Sequence, residues 1–596
     1  MTSPFRARSG HAPRLRPVER LVRTLDDSPR TRIRIPTVIM DETHQTLQAD
    51  PPEQARPEPV ATPLPGQTRH LWWQRGVIYQ IYPRSFMDSD NDGVGDLAGI
   101  EQRLDYLQWL GVDAIWISPI YPSPMADFGY DVSNYTDVHP LFGTLAEFDR
   151  LLEATHARGM RLLLDFVPNH SSDLHPWFLE SRSSRENPRR DWYLWSDAAA
   201  DGGPPNNWRS VFGGSAWEWD ELTGQYYYHA FLKEQPDLNW RNPEVQEAML
   251  DVLRFWLDRG VDGFRVDVLW HMVKDARLRD NPPNPDYVPG QPPYEELLAS
   301  FSTDQPEVHD IVARMRELVD GYEERLLIGE IYLPIARLVS YYGEDGSGVH
   351  LPFNFQLITL PWDARAIAAA VSEYEGSLPL HGWPNWVLGN HDQPRVASRV
   401  GREQARVAAM LLLTLRGTPT IYYGDELGMH DVAIPPEGIR DPQALNMPGV
   451  GRSRDPARTP MQWSAHANTG FSDAESWLPV SMDYPRFNVE RERDDPHSML
   501  SLYRSLLMLR SREPALQVGD YTPVPADGAV ICYLREHAGA RFLIALNLGH
   551  APTIVEPAHP PVTGTVACAT YRGREGTRVE GRILLGGDEG LVIQLD

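Results

Sequence analysis

Cysteine is almost missing: Cys532 and Cys568 are the only two in a chain of 596 residues. Two thiols cannot build the disulfide framework of a small secreted scaffold, and no CxxC pair offers a zinc site. Lysine is equally scarce. Lys233 and Lys274 are the only lysines among 56 basic residues, so arginine carries the positive charge. Acidic residues number 82 and the formal net charge is −26, the wrong sign for a chain whose main partner is nucleic acid. No run approaches the roughly 18 apolar residues that a membrane helix needs. The N-terminus lacks the apolar core of a secretory signal. Neither a GxGxxG nor a P-loop opens a helix, which removes the common nucleotide cradles. The expectation is an acidic, soluble, cytoplasmic protein, long enough for two or three domains.

What is present falls into four parts. Residues 1–70, including "ADPPEQARPEPVATPLPGQTRH", are proline-rich and polar without hydrophobic period, and read as a disordered extension. From Leu71 short apolar runs alternate with helical patterns, as in "GVIYQIYPRSF" before "LAGIEQRLDYLQWLG" and "MRLLLDFVPNH" before "PEVQEAMLDVLRFWLDRG". Eight such strands with intervening helices predict a (β/α)8 TIM barrel of the α/β class over 71–170 and 241–518. A Trp-, Pro-, Gly- and Asn-rich stretch, 171–240, reads as a small domain inserted after the third strand. From 519 to 596 the β-like runs "AVICYLRE", "RFLIALNLG" and "GLVIQLD" predict a C-terminal antiparallel β-sandwich.

One apolar strand carries charge in its core. "GFRVDVLWHM" holds Arg265 and Asp267 two residues apart, hence on one side of the pleat. A buried charge is costly unless it is paired or working. Other polar residues obey the same placement: Asp165, Asn169 and His170 at the third strand, Glu330 at the fifth, Asn390, His391 and Asp392 at the seventh. In a β/α barrel, catalytic groups gather at these C-terminal strand ends. Any one of them suits a structural ion pair, but four strands sharing one acidic rim do not need that coincidence. Three convergent acids fit glycoside cleavage, in which one carboxylate attacks, another donates a proton, and the transition state is cationic.

The segments "DFVPNH", "QPDLN", "GFRVD", "IGE", "NHD" and "GTPTIYYGDELGM", in this order, resemble glycoside hydrolase family 13, the α-amylase family, from Trp72 onward. "QPDLN" and "GRSRDPARTPMQW" look like its oligo-1,6-glucosidase and α-glucosidase members. The resemblance implies a retaining, exo-acting enzyme with Asp267 as nucleophile, Glu330 as general acid/base and Asp392 as the third acid. It further implies that Arg265 orients Asp267 and that His170 and His391 bind the sugar. Tyr130 would stack on the glucose ring and Asp127 would bind its outer hydroxyls, joined by Arg454, with Arg458 as the other candidate. Phe212 and Phe231 would be aromatic walls. The substrate would be a short α-glucoside, α-1,4 or α-1,6 linked, and Val268 after the nucleophile leans towards α-1,6. Transglucosylation and trehalose synthase-type isomerisation are the rival enzyme readings. A non-catalytic subunit of this family is the rival of another class, which the complete acid triad argues against.

"DSDNDGVGD", 88–96, has the acidic alternation of a calcium loop, but the twelfth position is Gly99, not the glutamate of an EF-hand. The same resemblance implies one structural Ca2+ held by Asp88, Asp90, Asp92, Asp96 and the Val94 carbonyl. No organic cofactor is implied.

Overall fold

The alternation of apolar strands and amphipathic helices is resolved in a computed structural model that describes residues 70–450, 452–557 and 562–596. The extension 1–70, His70 apart, lies outside the described residues. Eight parallel strands form one sheet: β1 (Ile78–Ile81), β2 (Ala114–Ile117), β3 (Arg161–Phe166), β4 (Gly263–Val266), β5 (Leu326–Gly329), β6 (Leu351–Pro352), β7 (Asn385–Val387) and β8 (Thr418–Tyr422). Their order is β7-β8-β1-β2-β3-β4-β5-β6, so the sheet is nearly closed into a barrel. The open seam follows from β6. "HLPFNFQL" reads as a full strand, but only Leu351 and Pro352 pair, and a helical turn takes over at Gln356–Thr359. Proline has no N–H for a ladder.

Side-chain alternation divides the barrel into two apolar layers. Tyr79, Ile81, Ile115, Ile117, Leu162 and Leu164 pack outward with the helices, while Ile78, Ala114, Trp116, Leu163, Leu326 and Ile328 fill the interior. Arg265 lies opposite Asp165 in the β3–β4 register and opposite Ile328 in the β4–β5 register. Two charged residues thus share an interior layer. Gly263 opens β4 because a Cβ there would stand 2.1 Å from the Leu326 carbonyl oxygen.

The excursion after β3 contains an antiparallel sheet of Trp195–Ser196, Trp217–Asp220 and Gln225–Tyr228. At the C-terminus, six antiparallel strands beginning with Asp520–Val524 enclose a separate apolar core that includes Val530, Leu543 and Ile593. Arg510 and Arg535 join this part to the barrel. Both are buried, and their guanidinium groups donate to the carbonyls of Leu413, Thr414, Leu516, Gln517, Gly417 and Gly519. Leu413 and Thr414 end the helix Arg402–Thr414, so the cations cap its orphan carbonyls. No helix of the described residues is long and apolar enough to cross a membrane.

Candidate active site

Arg265 is the centre of the acidic rim. Its Nη1 donates to Asp165 Oδ1 at 2.7 Å and to Asp267 Oδ1 at 2.6 Å, and its Nη2 lies 2.6 Å from Glu330 Oε2. The guanidinium also stacks over Trp116, 5.3 Å from the ring centroid. Three carboxyl groups share one cation in a buried layer. Burial pushes Asp165 up to about 6 although Arg265 opposes it. Burial likewise raises Asp267 well above its ordinary value, with Arg265 lowering it and Glu330 and Asp165 adding to the rise. Glu330 is raised by burial and by Asp392, against Arg265 and the Val268 amide. Burial thus favours the protonated form of all three carboxyl groups, and Arg265 opposes it at each.

Immediately after Asp267 the backbone turns sharply. Val268 has φ 36° and ψ 45°, in the left-handed region, where a β-branched side chain is strained by about 1–3 kcal/mol. The Val268 N–H donates to Glu330 Oε2, 2.9 Å away.

Asp392 faces two guanidinium groups, Arg458 Nη2 at 3.0 Å and Arg454 Nη1 at 3.5 Å. Burial would raise its pKa, but the adjoining His391 and then the Arg458 and Arg454 cations hold it far below the carboxylate range, so it stays ionised. Its neighbour His391 is kept neutral by burial and by the surrounding arginines. Gln80 Nε2 lies 2.8 Å from His391 Nδ1, which leaves Nε2 as the N–H, 2.7 Å from Tyr130 Oη. Tyr130 then donates to Asp165 Oδ2 at 3.0 Å. The Tyr130 and His391 rings are nearly parallel, 5.4 Å apart. This relay fixes ring and hydroxyl without a mobile charge.

At the far end Arg454 Nη2 donates to Asp127 Oδ1 at 2.6 Å and to Asp441 Oδ1 at 2.7 Å. Its guanidinium lies over Phe212, 4.9 Å from the centroid. Arg458 does not join Asp127: no hydrogen bond or ion pair links them among the described residues. It is fully buried, donating to the His391 carbonyl and to Asp392 instead. His170, lowered to about 3 by burial, lies between Tyr130 O at 3.1 Å and Gln235 Nε2 at 3.2 Å. Phe231 stands 5.4 Å from His170 and 5.5 Å from Phe212. Behind them Lys274 pairs with Asp237 and donates to Asn169 Oδ1 at 2.8 Å, tying the inserted segment to β3 and β4.

These groups line one cavity of about 540 Å³, within the range of small-molecule sites. Asp127, Tyr130, His170, Phe212, Phe231, Asp267, Glu330, His391, Asp392 and Arg454 all reach it, and Arg265 and Arg458 support it from behind. Sequence reasoning overlooked Gln235, Trp270, His271, Tyr294, Tyr332 and Arg452, which also line it. Gln235 lay within the quoted "QPDLN" and could have been found. Tyr294 and Arg452 sit in loops with no periodic signal.

The loop 88–96 lies apart from this lining. The carboxylate oxygens of Asp88, Asp90 and Asp96 come within 4.8 Å of one another. Asp92 is outside that trio and accepts the Val94 N–H at 2.8 Å. Among the described residues none of the trio makes an ion pair. Burial raises Asp96, with Asp90 adding to the rise, while Asp96 also caps the helix Leu97–Gln102 by accepting the Gly99 N–H at 2.7 Å.

Comparison with known proteins agrees with this geometry. The family described as "Alpha amylase, catalytic domain" matches residues 80–519. A Rhizobium meliloti protein named "Probable alpha-glucosidase" is 42% identical over 495 residues, covering 80% of this chain and 89% of its own. An oligo-1,6-glucosidase of Halalkalibacterium halodurans is 40% identical over 514 residues, covering 80% and 90%. Among solved structures, the α-glucosyl transfer enzyme XgtA has a TM-score of 0.84 at 41% identity, covering 89% of this chain and all of its own. With its acid-rimmed barrel and a match over most of its length, the chain belongs to glycoside hydrolase family 13, the α-amylase family.

Proposed function

We propose that the protein is a retaining, exo-acting α-glucosidase that releases glucose from the non-reducing end of short α-1,4- or α-1,6-glucosides. One observation carries the reading: Asp267, Glu330 and Asp392 open onto a single cavity whose far end is closed by the buried Asp127–Arg454 pair. In this reading Asp267 attacks the anomeric carbon while Glu330 gives its proton to the departing oxygen. Water activated by Glu330 then hydrolyses the glucosyl-enzyme. Asp267 and Glu330 sit on two nitrogens of one guanidinium, which supports the close carboxylate spacing of retaining enzymes, about 5–5.5 Å. Ionised Asp392, unlike its two partners, supplies constant negative charge to the cationic transition state. The Asp127–Arg454 pair would grip the outer hydroxyls and stop a longer chain from passing.

Hydrolysis of 4-nitrophenyl α-glucoside, with the anomer of the first product read by NMR, tests this. α-Glucose is expected, and Asp267→Ala should remove turnover. β-Glucose as first product, or retained turnover, refutes the reading. Transfer to a sugar hydroxyl in place of water is the second reading, favoured by the similarity to XgtA.

The acidic loop suits a structural Ca2+. Asp88, Asp90 and Asp96 supply hard oxygen ligands that form no ion pair among the described residues, and Asp92 and the Val94 carbonyl complete the proposed set. A cytoplasmic setting belongs to the same reading and is supported by Cys532 and Cys568, which are buried and unpaired.

A further inference from the structure

Among the described residues, Glu330 meets the protein through Oε2. Oε2 accepts the Val268 N–H at 2.9 Å and lies 2.6 Å from Arg265 Nη2 in an ion pair. An oxygen that faces an N–H donor and a guanidinium charge is an unfavourable place for a proton of its own. The N–H donor sits at an unusual backbone turn. Val268 is one of only two β-branched residues with positive φ among those described, the other being Thr469. β4 ends at Val266, the Asp267 N–H still reaches the Phe166 carbonyl of β3, and the Val268 N–H, on the opposite edge, meets Glu330 at the end of β5 just where the chain turns left-handed. Strain of this kind persists where the surroundings hold it and where it serves the site.

We propose that Val268 is a positioning residue: its kinked amide, with Arg265, holds Glu330 by Oε2 and so confines the transferable proton to Oε1. This rests on the role of Glu330 as acid and base given above. The proton leaves Oε1 for the glycosidic oxygen as the bond to the anomeric carbon breaks, and Oε1 takes a proton from water in the second step. Oε2 remains an acceptor throughout, so the side chain need not rotate between the two half-reactions. An N–H pointed at the carboxylate favours its ionised form. Val268 therefore also restrains how basic Glu330 becomes.

The test is replacement of the Asp267–Val268 amide by an ester in the full chain, with the α-hydroxy analogue of valine at 268, which removes one hydrogen and no side-chain atom. The alkaline limb of kcat/KM for maltose, where Glu330 loses its proton, should move upward by about one pH unit. Val268→Gly keeps the N–H, relieves the strain and should leave that limb in place. An ester variant whose limb coincides with the wild type overturns the inference, as does a Val268→Gly limb displaced as far as the ester's. Glu330→Gln separates the two levels. If it retains full activity on maltose, the role of Glu330 itself fails; if it loses activity while the ester limb stays put, only the role of Val268 fails.

Discussion

Replacing Arg265 by Met removes the one cation that three buried carboxyl groups share, at 2.7, 2.6 and 2.6 Å. Methionine refills much of the volume over Trp116, so the change is chiefly electrostatic. A neighbouring opposite charge lowers a carboxyl pKa by about 1–3 units. Without Arg265, the pKa of Asp267, already raised by burial, climbs by that much again. Under the proposed chemistry the ionised nucleophile becomes rarer at neutral pH, and kcat/KM should fall by up to the roughly 10- to 1,000-fold that such a shift carries, about 1.4–4 kcal/mol in barrier. Folding suffers too, because stripping a buried ion pair of one partner costs about 3–5 kcal/mol.

That cost depends on pH with a definite sign. An acid whose folded pKa lies above its unfolded value holds a proton that the unfolded chain has released, so stability falls as pH rises between the two values. For Asp165 in the wild type that window runs from 3.8 to about 6. In Arg265→Met it widens upward for all three groups. Melting curves should show a Tm deficit that is small near pH 5 and large near pH 8, and the acid limb of kcat/KM should move to higher pH. A deficit equal at both pH values, with an unmoved acid limb, would refute the shared-cation account.

Two further outcomes follow from other parts of the site. Arg454→Gln leaves Asp127 and Asp441 buried without their cation, and kcat/KM on maltose should drop about ten- to a hundredfold, chiefly through KM; an unchanged KM would show that the far end does not grip the sugar. EDTA should lower the Tm if the acidic loop binds Ca2+ in the folded state, with recovery on adding the ion, whereas superimposable melts would count against the metal.

The barrel was legible because its strands are uninterrupted apolar runs, and the acids because strand ends break those runs with charge. Asp165, Arg265, Asp267 and Glu330 could be placed on one rim from the sequence alone. The text failed where geometry depends on more than periodicity. "LAGIEQRLDYLQWLG" reads as one helix but splits at Arg103 into Leu97–Gln102 and Leu104–Leu110. Arg454 and Arg458 could not be told apart, since a loop without period gives no hint which of two arginines faces the cavity. The kink at Val268 was equally invisible, because valine after a strand predicts more strand. Tyr294 and Arg452, on irregular segments, join the site only through tertiary packing.

The buried Asp127–Arg454 pair makes the cavity a cul-de-sac. Under the proposed chemistry, the fragment that leaves first departs by the same mouth through which water must then arrive, and the freed glucose waits for that traffic to clear. Crowding at one doorway decides the fate of the glucosyl-enzyme: a dilute medium sends in water, and a concentrated syrup sends in another hydroxyl. Hydrolysis and transfer would then be two regimes of one molecule, set by what queues outside.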